Sequence, residues 1–182
     1  MSYIKIVEKL RKVNCDKSPW IYSWENHVDK NRPHIFYSKN SRIISAVSKE
    51  LKEGYFYAYK FTDDFIKYRS NISSLYTLDR FEQQSVIENP KFGLIILDTV
   101  SAVQTRNILN IFDTYIDNKT VIYCPYIVNY ENYENRVLDG VMGYCLQKNR
   151  EIEWLAHIGE VQLYDIKDIG YNQGATFRVI KK

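Results

Sequence analysis

The stretch FGLIILD at residues 92–98 and the stretch KTVIYCPY at residues 119–126 decide the fold of this chain. Each is a short run of β-branched or large apolar residues that stops at a polar or turn-forming residue. A helix-length segment lies between them, which is typical of two neighbouring strands of a buried parallel sheet. Ligands of such sheets bind beyond the carboxyl ends of the strands. Asp98 and the corner at residues 124–126 are therefore the first candidates for a functional site.

Length and composition predict one globular domain over residues 1–182. The chain is 45% hydrophobic and 26% charged, and its length is sufficient to bury a full core. The net charge of +3 is mild, so we expect no nucleic acid as a partner. The densest basic stretch contains Lys30, Arg32, Lys39 and Arg42, and a solvated loop is a better interpretation of it than an anion site.

The cysteines and the termini predict a reducing, cytoplasmic location. Cys15, Cys124 and Cys145 are odd in number and form no CxxC motif, so neither a disulfide framework nor a zinc site is expected. No signal peptide opens the chain, and no segment approaches the ~20 apolar residues of a membrane span. The sequence leaves the partner open, as a small molecule or a protein, and does not define the oligomeric state.

Predicted strands and helices alternate along the chain. An N-terminal helix and an aromatic flap occupy residues 1–32, and a Rossmann-like core occupies residues 33–182. The main predicted strands are 34–37, 55–59, 92–98, 119–124, 151–157 and 175–180, and the main predicted helices are 43–51, 101–116 and 133–145. Because no helix separates the last two strands, we expect an α/β three-layer sandwich with a mostly parallel central sheet that ends in an antiparallel hairpin.

Two local patterns add detail to this scheme. Ser101 can cap the helix that follows the first run, and Gln104 would complete a capping box. The expected buried residues of the two later helices are Val103, Ile108, Leu109, Phe112 and Ile116, then Tyr133, Val137, Leu138, Val141, Met142 and Cys145. The aromatic residues of the flap at 19–37 either close over an edge of the core or form a ligand lid.

This order of elements resembles class I S-adenosylmethionine-dependent methyltransferases and, more narrowly, the macrocin O-methyltransferase family. The similar stretches are HIFYSKNSR at 34–42, FYAYKFTDDF at 56–65, LIILDTV at 94–100, VIYCPY at 121–126 and QGATFRVI at 173–180. The resemblance covers the chain from about residue 33 onward. It implies transfer of a methyl group from S-adenosylmethionine to a hydroxyl of a sugar or another small hydroxylated molecule, with a divalent metal.

The resemblance also implies a cofactor site, whose residues here are altered. The positions that it places there are Ser38, Asn40, Lys60, Asp63 and Asp98. Glycines of the family's first turn are replaced by Phe36 and Asn40, and a side chain at Phe36 would intrude on a ligand. The acidic residue that binds the ribose hydroxyls is replaced by Lys60, which can only donate hydrogen bonds. Asp63 or Asp64 is the alternative acceptor.

The metal site implied by the resemblance needs three carboxylates, and here it retains one. Asp98 keeps the position on the central strand, whereas Cys124 and Pro125 replace the two acids of the next strand. Hard cations need several converging oxygens, so we expect no bound metal. Asp98 is the candidate catalytic base or polar anchor, unless it only caps the following helix. Cys124 is a small buried residue, or else a nucleophile.

The sequence therefore predicts a methyltransferase-fold protein with degraded cofactor and metal motifs, weakly active or non-catalytic. The alternative is an active O-methyltransferase with an altered pocket. Tyr126, Asn129 and Tyr130 are the candidates for binding the substrate, unless their loop is only solvated. A nucleotide-binding protein of another kind is disfavoured, because no glycine-rich loop is present.

Overall fold

The computed structural model describes residues 24–32, 34–38, 55–58, 75–76, 91–128, 136–155 and 173–182. The strands within them are β1 (His34–Ser38), β2 (Tyr55–Ala58), β3 (Leu75–Tyr76), β4 (Leu94–Leu97), β5 (Val121–Val128), β6 (Arg150–Trp154) and β7 (Gln173–Lys181). The helices within them are α1 (Trp24–His27), α2 (Ala102–Phe112) and α3 (Arg136–Lys148), and a 3₁₀ turn, Asp113–Tyr115, follows α2. The predicted N-terminal helix and the predicted helix at 43–51 lie outside the described residues.

The described strands form one sheet in the order β3-β2-β1-β4-β5-β7-β6. The first five strands of this order run parallel to their neighbours. Strand β7 lies between β5 and β6 and is antiparallel to both. The predicted α/β class and the mostly parallel sheet with an antiparallel pair at its end are therefore confirmed.

One face of the sheet packs against α2 and α3. A row of apolar residues crosses four adjacent strands in register: Ile35, Ile95, Ile122 and Phe177. These side chains are fully buried in one cluster with Leu109 and other residues of the helices. All four residues of β4 are buried, as expected for a central parallel strand that is covered on both faces.

The opposite face of the sheet carries a second row in register, formed by Phe36, Ile96, Tyr123 and Thr176. Trp24 of α1 covers the end of this row. Its ring meets that of Tyr123 edge-on, with 5.0 Å between centroids, and its Nε1 donates to Thr176 Oγ1 at 2.9 Å. Trp24 is fully buried, so this residue of the predicted flap closes over the core.

The helices begin and end for local reasons. Ser101 Oγ accepts a hydrogen bond from the Gln104 backbone N at 3.1 Å, so the predicted cap of α2 is confirmed. Helix α3 is followed by Asn149 at φ 53°, a left-handed conformation that asparagine tolerates at helix ends. Among the described helices, none is both long and apolar enough to cross a membrane.

Two residues predicted on buried helix faces are exposed instead. Val103 is 59% exposed and Met142 is 55% exposed. The buried residues of α2 are Thr105, Ile108, Leu109 and Phe112, and those of α3 include Val137, Val141, Tyr144 and Cys145. At 3.6 residues per turn, Met142 lies roughly 100° around the helix from Val141 and Val103 lies farther still from the buried side of α2. The prediction was wrong because it assigned every apolar residue near the buried side of each helix to the buried face.

A buried arginine ties β6 to the elements around it. Arg150 Nη1 donates to Val179 O at 2.9 Å, and Nη2 donates to Ile116 O at 3.2 Å. Its Nε lies 3.8 Å from Asp113 Oδ1, which also accepts from Tyr144 Oη at 2.6 Å. Burial raises the pKa of Tyr144, and the bond to Asp113 adds to this shift. The hydroxyl therefore stays a donor, and the network joins β7, α3 and the 3₁₀ turn.

Helices α2 and α3 approach each other most closely at Gly140. A Cβ at this position would lie 2.5 Å from Ala102 O and 2.8 Å from Thr105 Cβ. One turn along α3, a Cβ at Gly143 would meet only Arg106 Cδ, at an ordinary contact distance of 3.6 Å. The missing side chain at Gly140 therefore allows the two helices to touch.

We predict opposite stability changes for alanine at these two glycines. Gly140→Ala should lower the free energy of unfolding by about 1–3 kcal/mol, because its Cβ collides with the backbone of α2. Gly143→Ala should raise it by about 0.5–1 kcal/mol, because alanine favours the helix and the space is open. Urea denaturation of both variants checks this, and a loss of stability in Gly143→Ala equal to that in Gly140→Ala would contradict it.

A double-mutant cycle tests the docking of Trp24. Trp24→Phe keeps an aromatic ring against Tyr123 but removes the indole N–H, and Thr176→Val removes the acceptor at similar volume. Because both groups are buried, we expect a coupling free energy of about 0.5–1.5 kcal/mol between the two changes. The cycle is measured by denaturant unfolding of the four proteins. Strictly additive losses would show that the hydrogen bond does not contribute to stability.

Candidate functional site

The candidate site lies where β1, β4 and β5 end side by side. Asp98 follows β4 directly, and its backbone N donates to Tyr37 O at 2.9 Å. Since Tyr37 pairs with Leu97, Ser38 lies beside Asp98 at the end of β1. Since Ile96 pairs with Tyr123, Cys124 and Pro125 come next on the other side. Three neighbouring strands thus bring the predicted positions Ser38 and Asp98 together with the Cys124-Pro125 corner.

Asp98 is held in a short loop between β4 and α2. The residue is 6% exposed, so its carboxylate reaches the surface only marginally. The N-cap residue of α2 is Ser101, whose side chain accepts from the Gln104 backbone N, and Asp98 lies three residues before it. The Gln104 side chain, expected to complete the capping box, instead places Nε2 3.4 Å from Tyr37 Oη.

Two threonines fix this loop, and the sequence interpretation missed both. Thr99 Oγ1 and Thr105 Oγ1 share a buried hydrogen bond of 2.5 Å, and Thr105 Oγ1 also lies 2.7 Å from Ser101 O. A threonine in the first turn of a helix often bonds to the carbonyl four residues before it. The spacing from Ser101 to Thr105 was the available signal. The result is a loop in which the backbone at Asp98 has little freedom.

Cys124 is part of the apolar core and not of an open site. It is fully buried in the cluster beneath α2 and α3. Burial raises the pKa of its thiol far above the usual range, and the nearby charge of Asp98 raises it further. A protonated, enclosed thiol is neither a nucleophile nor a metal ligand. The interpretation of Cys124 as a small buried residue is the one that this geometry supports.

The residues at the strand ends do not suit the divalent metal that the resemblance implies. Within the described ranges, no three His, Cys, Asp or Glu side chains come close enough together to hold an ion. Asp98 supplies one carboxylate, Cys124 is enclosed, and the buried Pro125 has no donor atom in its side chain. A hard cation needs several oxygens at one point, and these three residues do not provide them.

The other predicted site residues divide into two groups. Phe36 is fully buried inside β1, with Phe56 and Ile96 as its partners on the two sides, so it belongs to the core and not to the following turn. The position of Tyr126 within β5 is described, but its side chain is not. Five further residues lie outside the described part of the chain: Asn40, Lys60, Asp63, Asn129 and Tyr130.

The chain was compared with protein families, curated proteins and solved structures. No protein-family model matches the chain, and no curated protein matches it. Among solved structures, it is similar to the O-methyltransferase from Bacillus cereus in complex with S-adenosylhomocysteine, at 15% identity and a TM-score of 0.50, over 97% of this chain and 90% of that one. An rRNA methylase from Streptococcus thermophilus matches at 12% identity and a TM-score of 0.46, over 91% of this chain and 98% of that one.

The Bacillus cereus match shows the fold. The chain has the Rossmann-like fold of S-adenosylmethionine-dependent methyltransferases. The narrower resemblance to the macrocin O-methyltransferase family stays a prediction, as do the cofactor and substrate residues assigned from it.

The thiols provide a test of how closed this region is. Burial raises the pKa of Cys145 to about 11, and that of Cys124 lies higher. In a Cys15→Ser background, the native protein should therefore react with Ellman's reagent near neutral pH only as fast as it unfolds. In denatured protein, both thiols should be accessible and react rapidly with the reagent. Rapid reaction of one thiol in the native protein would show that the strand ends are open.

Proposed function

We propose that this chain is a methyltransferase-fold protein that has lost metal-dependent sugar O-methyl transfer. It would be non-catalytic or weakly active and serve as a binding or assembly subunit. The observation that supports this proposal is the end of β5. There a buried, protonated Cys124 and Pro125 stand where the resembling family has two metal-binding acids. A methyl acceptor activated by a divalent ion would find no ion at this position.

The cofactor positions support the same conclusion. If the resemblance is followed residue by residue, Lys60 stands where a carboxylate binds the ribose hydroxyls of S-adenosylmethionine. An ammonium group donates hydrogen bonds but accepts none, so it cannot replace a bidentate acceptor. Asp63 is the nearest alternative acceptor in sequence, and Ser38 and Asn40 are the polar residues of the first turn. We therefore propose weak or absent binding of S-adenosylmethionine.

Asp98 favours a second candidate, an active O-methyltransferase with an altered pocket. Asp98 follows the central strand, and its backbone lies beside that of Ser38 in a loop that Thr99 and Thr105 fix. In this candidate, Asp98 would accept the proton that a substrate hydroxyl loses during methyl transfer. Tyr126, Asn129 and Tyr130 would bind the hydroxylated substrate. S-adenosylmethionine would supply the methyl group.

The setting of the protein is also a proposal. We propose a single domain over residues 1–182, with the segment before residue 33 as an integral layer, which the burial of Trp24 supports. We propose a reducing, cytoplasmic environment, which suits the two buried free thiols Cys124 and Cys145.

Calorimetric titration separates the two candidates. We expect no binding of S-adenosylmethionine or S-adenosylhomocysteine tighter than about millimolar, or ~4 kcal/mol, with or without magnesium. A micromolar dissociation constant for either compound would contradict the proposed loss of the pocket.

Asp98→Asn provides the matched control for that titration. It keeps the size and the hydrogen-bonding atoms of the side chain but removes its charge. If the unaltered chain binds S-adenosylmethionine and Asp98→Asn binds it at least tenfold more weakly, the active candidate is favoured and Asp98 is a site residue. Thermal unfolding of the variant checks that the loop stays folded.

A further inference from the structure

Cations cluster at the amino end of the sheet, where β1, β4, β5 and β6 begin and the antiparallel β7 ends. Among the described residues, the Lys and Arg side chains at this end are Lys30, Arg32, Lys91, Lys119, Lys148, Arg150, Lys181 and Lys182. The carboxylates there are Asp29, Asp113, Asp117 and Glu151. The rest of the described chain contains three arginines and four carboxylates: Arg106, Arg136 and Arg178, and Glu25, Asp98, Asp139 and Glu153. Among the described residues, cations therefore outnumber carboxylates at this end, although the net charge of the chain is mild.

The carboxylate of Asp117 already accepts hydrogen bonds from residues at this end of the sheet. Its Oδ1 accepts from Arg32 Nη1 at 2.8 Å and from the backbone N of Lys119 at 2.9 Å. Burial alone would raise the pKa of Asp117, but the bonds from Arg32 and Lys119 outweigh it and hold that pKa below its usual range. The carboxylate is thus neutralised mainly by Arg32. Lys119 contacts this carboxylate through its backbone N and not through its ammonium group.

Asp113 is occupied in the same way. It belongs to the buried network of Arg150 and Tyr144, and Lys148 Nζ lies 3.7 Å from its other oxygen. Asp29 lies 3.5 Å from Arg32 Nε. Asp29, Asp113 and Asp117 therefore pair with arginines and with Lys148. Glu151 has no ion pair to any described residue, and neither have Lys119, Lys181 and Lys182.

The three remaining lysines are exposed and fixed at their backbones. Lys181 N donates to Asn118 Oδ1 at 2.9 Å, and Lys182 N donates to Asn149 O at 3.1 Å. Lys119 precedes β5 and Lys181 ends β7, and these strands are neighbours in the sheet. Adjacent strands lie about 4.8 Å apart, so the bases of these lysines are close together. The side chains can move, but their charges stay at one end of the molecule.

A row of compact, exposed ammonium groups is suited to phosphates. Lysine contributes a point charge without the bidentate geometry that reads a base edge, so such contacts do not depend on sequence. Among the described side chains, the aromatic rings nearest this end are those of Phe92 and Tyr115, and both are buried. Neither therefore offers a surface on which a base could stack. The chemistry at this end thus favours a nucleic acid held by its backbone.

We propose that the amino end of the sheet binds the sugar–phosphate backbone of a nucleic acid through Lys119, Lys181 and Lys182. This revises the expectation drawn from the net charge, which does not report how charges are distributed. The surface lies at the end opposite Asp98, so the proposal does not depend on whether the chain binds S-adenosylmethionine.

Fluorescence anisotropy with labelled oligonucleotides of about 20 residues tests the proposal at salt concentrations between about 50 and 200 mM. Oligouridine and oligothymidine are compared, so that RNA and DNA are distinguished as sources of the phosphates. The triple variant Lys119→Gln, Lys181→Gln, Lys182→Gln should lose at least tenfold in affinity at low salt. Its slope of log affinity against log salt should fall by about 2, since each single-strand phosphate contact contributes about 0.7.

Two controls separate charge from damage to the fold. Replacing the same three lysines by arginine keeps the charge and should keep the affinity within about twofold. The single changes Lys119→Gln and Arg106→Gln remove one charge each, at this end and on α2, and only the first should weaken binding. Thermal unfolding of every variant is measured in parallel.

Three results would overturn the proposal. The first is no binding of any oligonucleotide by the unaltered chain, and the second is unchanged affinity in the triple glutamine variant. The third is equal competition by polyglutamate of the same charge, which would identify the surface as a site for an acidic protein.

Discussion

Strand β4 is paired on both edges and covered on both faces, and the other described elements take their positions from it. Its partners β1 and β5 are in register with it, so one row of apolar side chains faces α2 and α3 and a second row faces Trp24. A slip of one residue in the register would exchange the two rows, so that each would meet packing partners of the wrong shape. The register therefore also decides that Asp98, Ser38 and Pro125 lie side by side at the strand ends.

The features that the sequence predicted well are those that depend on local patterns. The apolar run at residues 92–98 and the cap at Ser101 involve neighbours in the chain, and both are present. The features that it did not predict depend on contacts between distant segments. The insertion of β7 between β5 and β6 is one such feature. The burial of Arg150 is another, because its partners come from β7, the 3₁₀ turn and Ile116, which follows that turn. Val103 and Met142 were misplaced because periodicity shows an apolar side but not its width.

The sequence predicted where the candidate site lies, but not which of its side chains are available for chemistry. Parallel strands bring their carboxyl ends to one edge, so the neighbourhood of Asp98 and Cys124 follows from the order of the elements. Whether Cys124 faces the crevice or the core depends on the side of β5 on which it lies. The register with Ala175 and the buried cluster place it in the core. Cys124 stands where the resemblance implies a metal ligand, but in this fold it is a residue of the core.

The two ends of the sheet therefore differ in how much of a possible site can be predicted from the sequence. At the carboxyl end, the resemblance identifies positions, and the structure shows that Cys124, one of them, is buried in the core. At the amino end, no motif marks the surface, because Lys119 lies far in the chain from Lys181 and Lys182, and each resembles an ordinary surface charge. Only the antiparallel return of β7 brings Lys181 beside Asn118 and Lys119. The same strand that the sequence failed to place is thus the one that collects the charges.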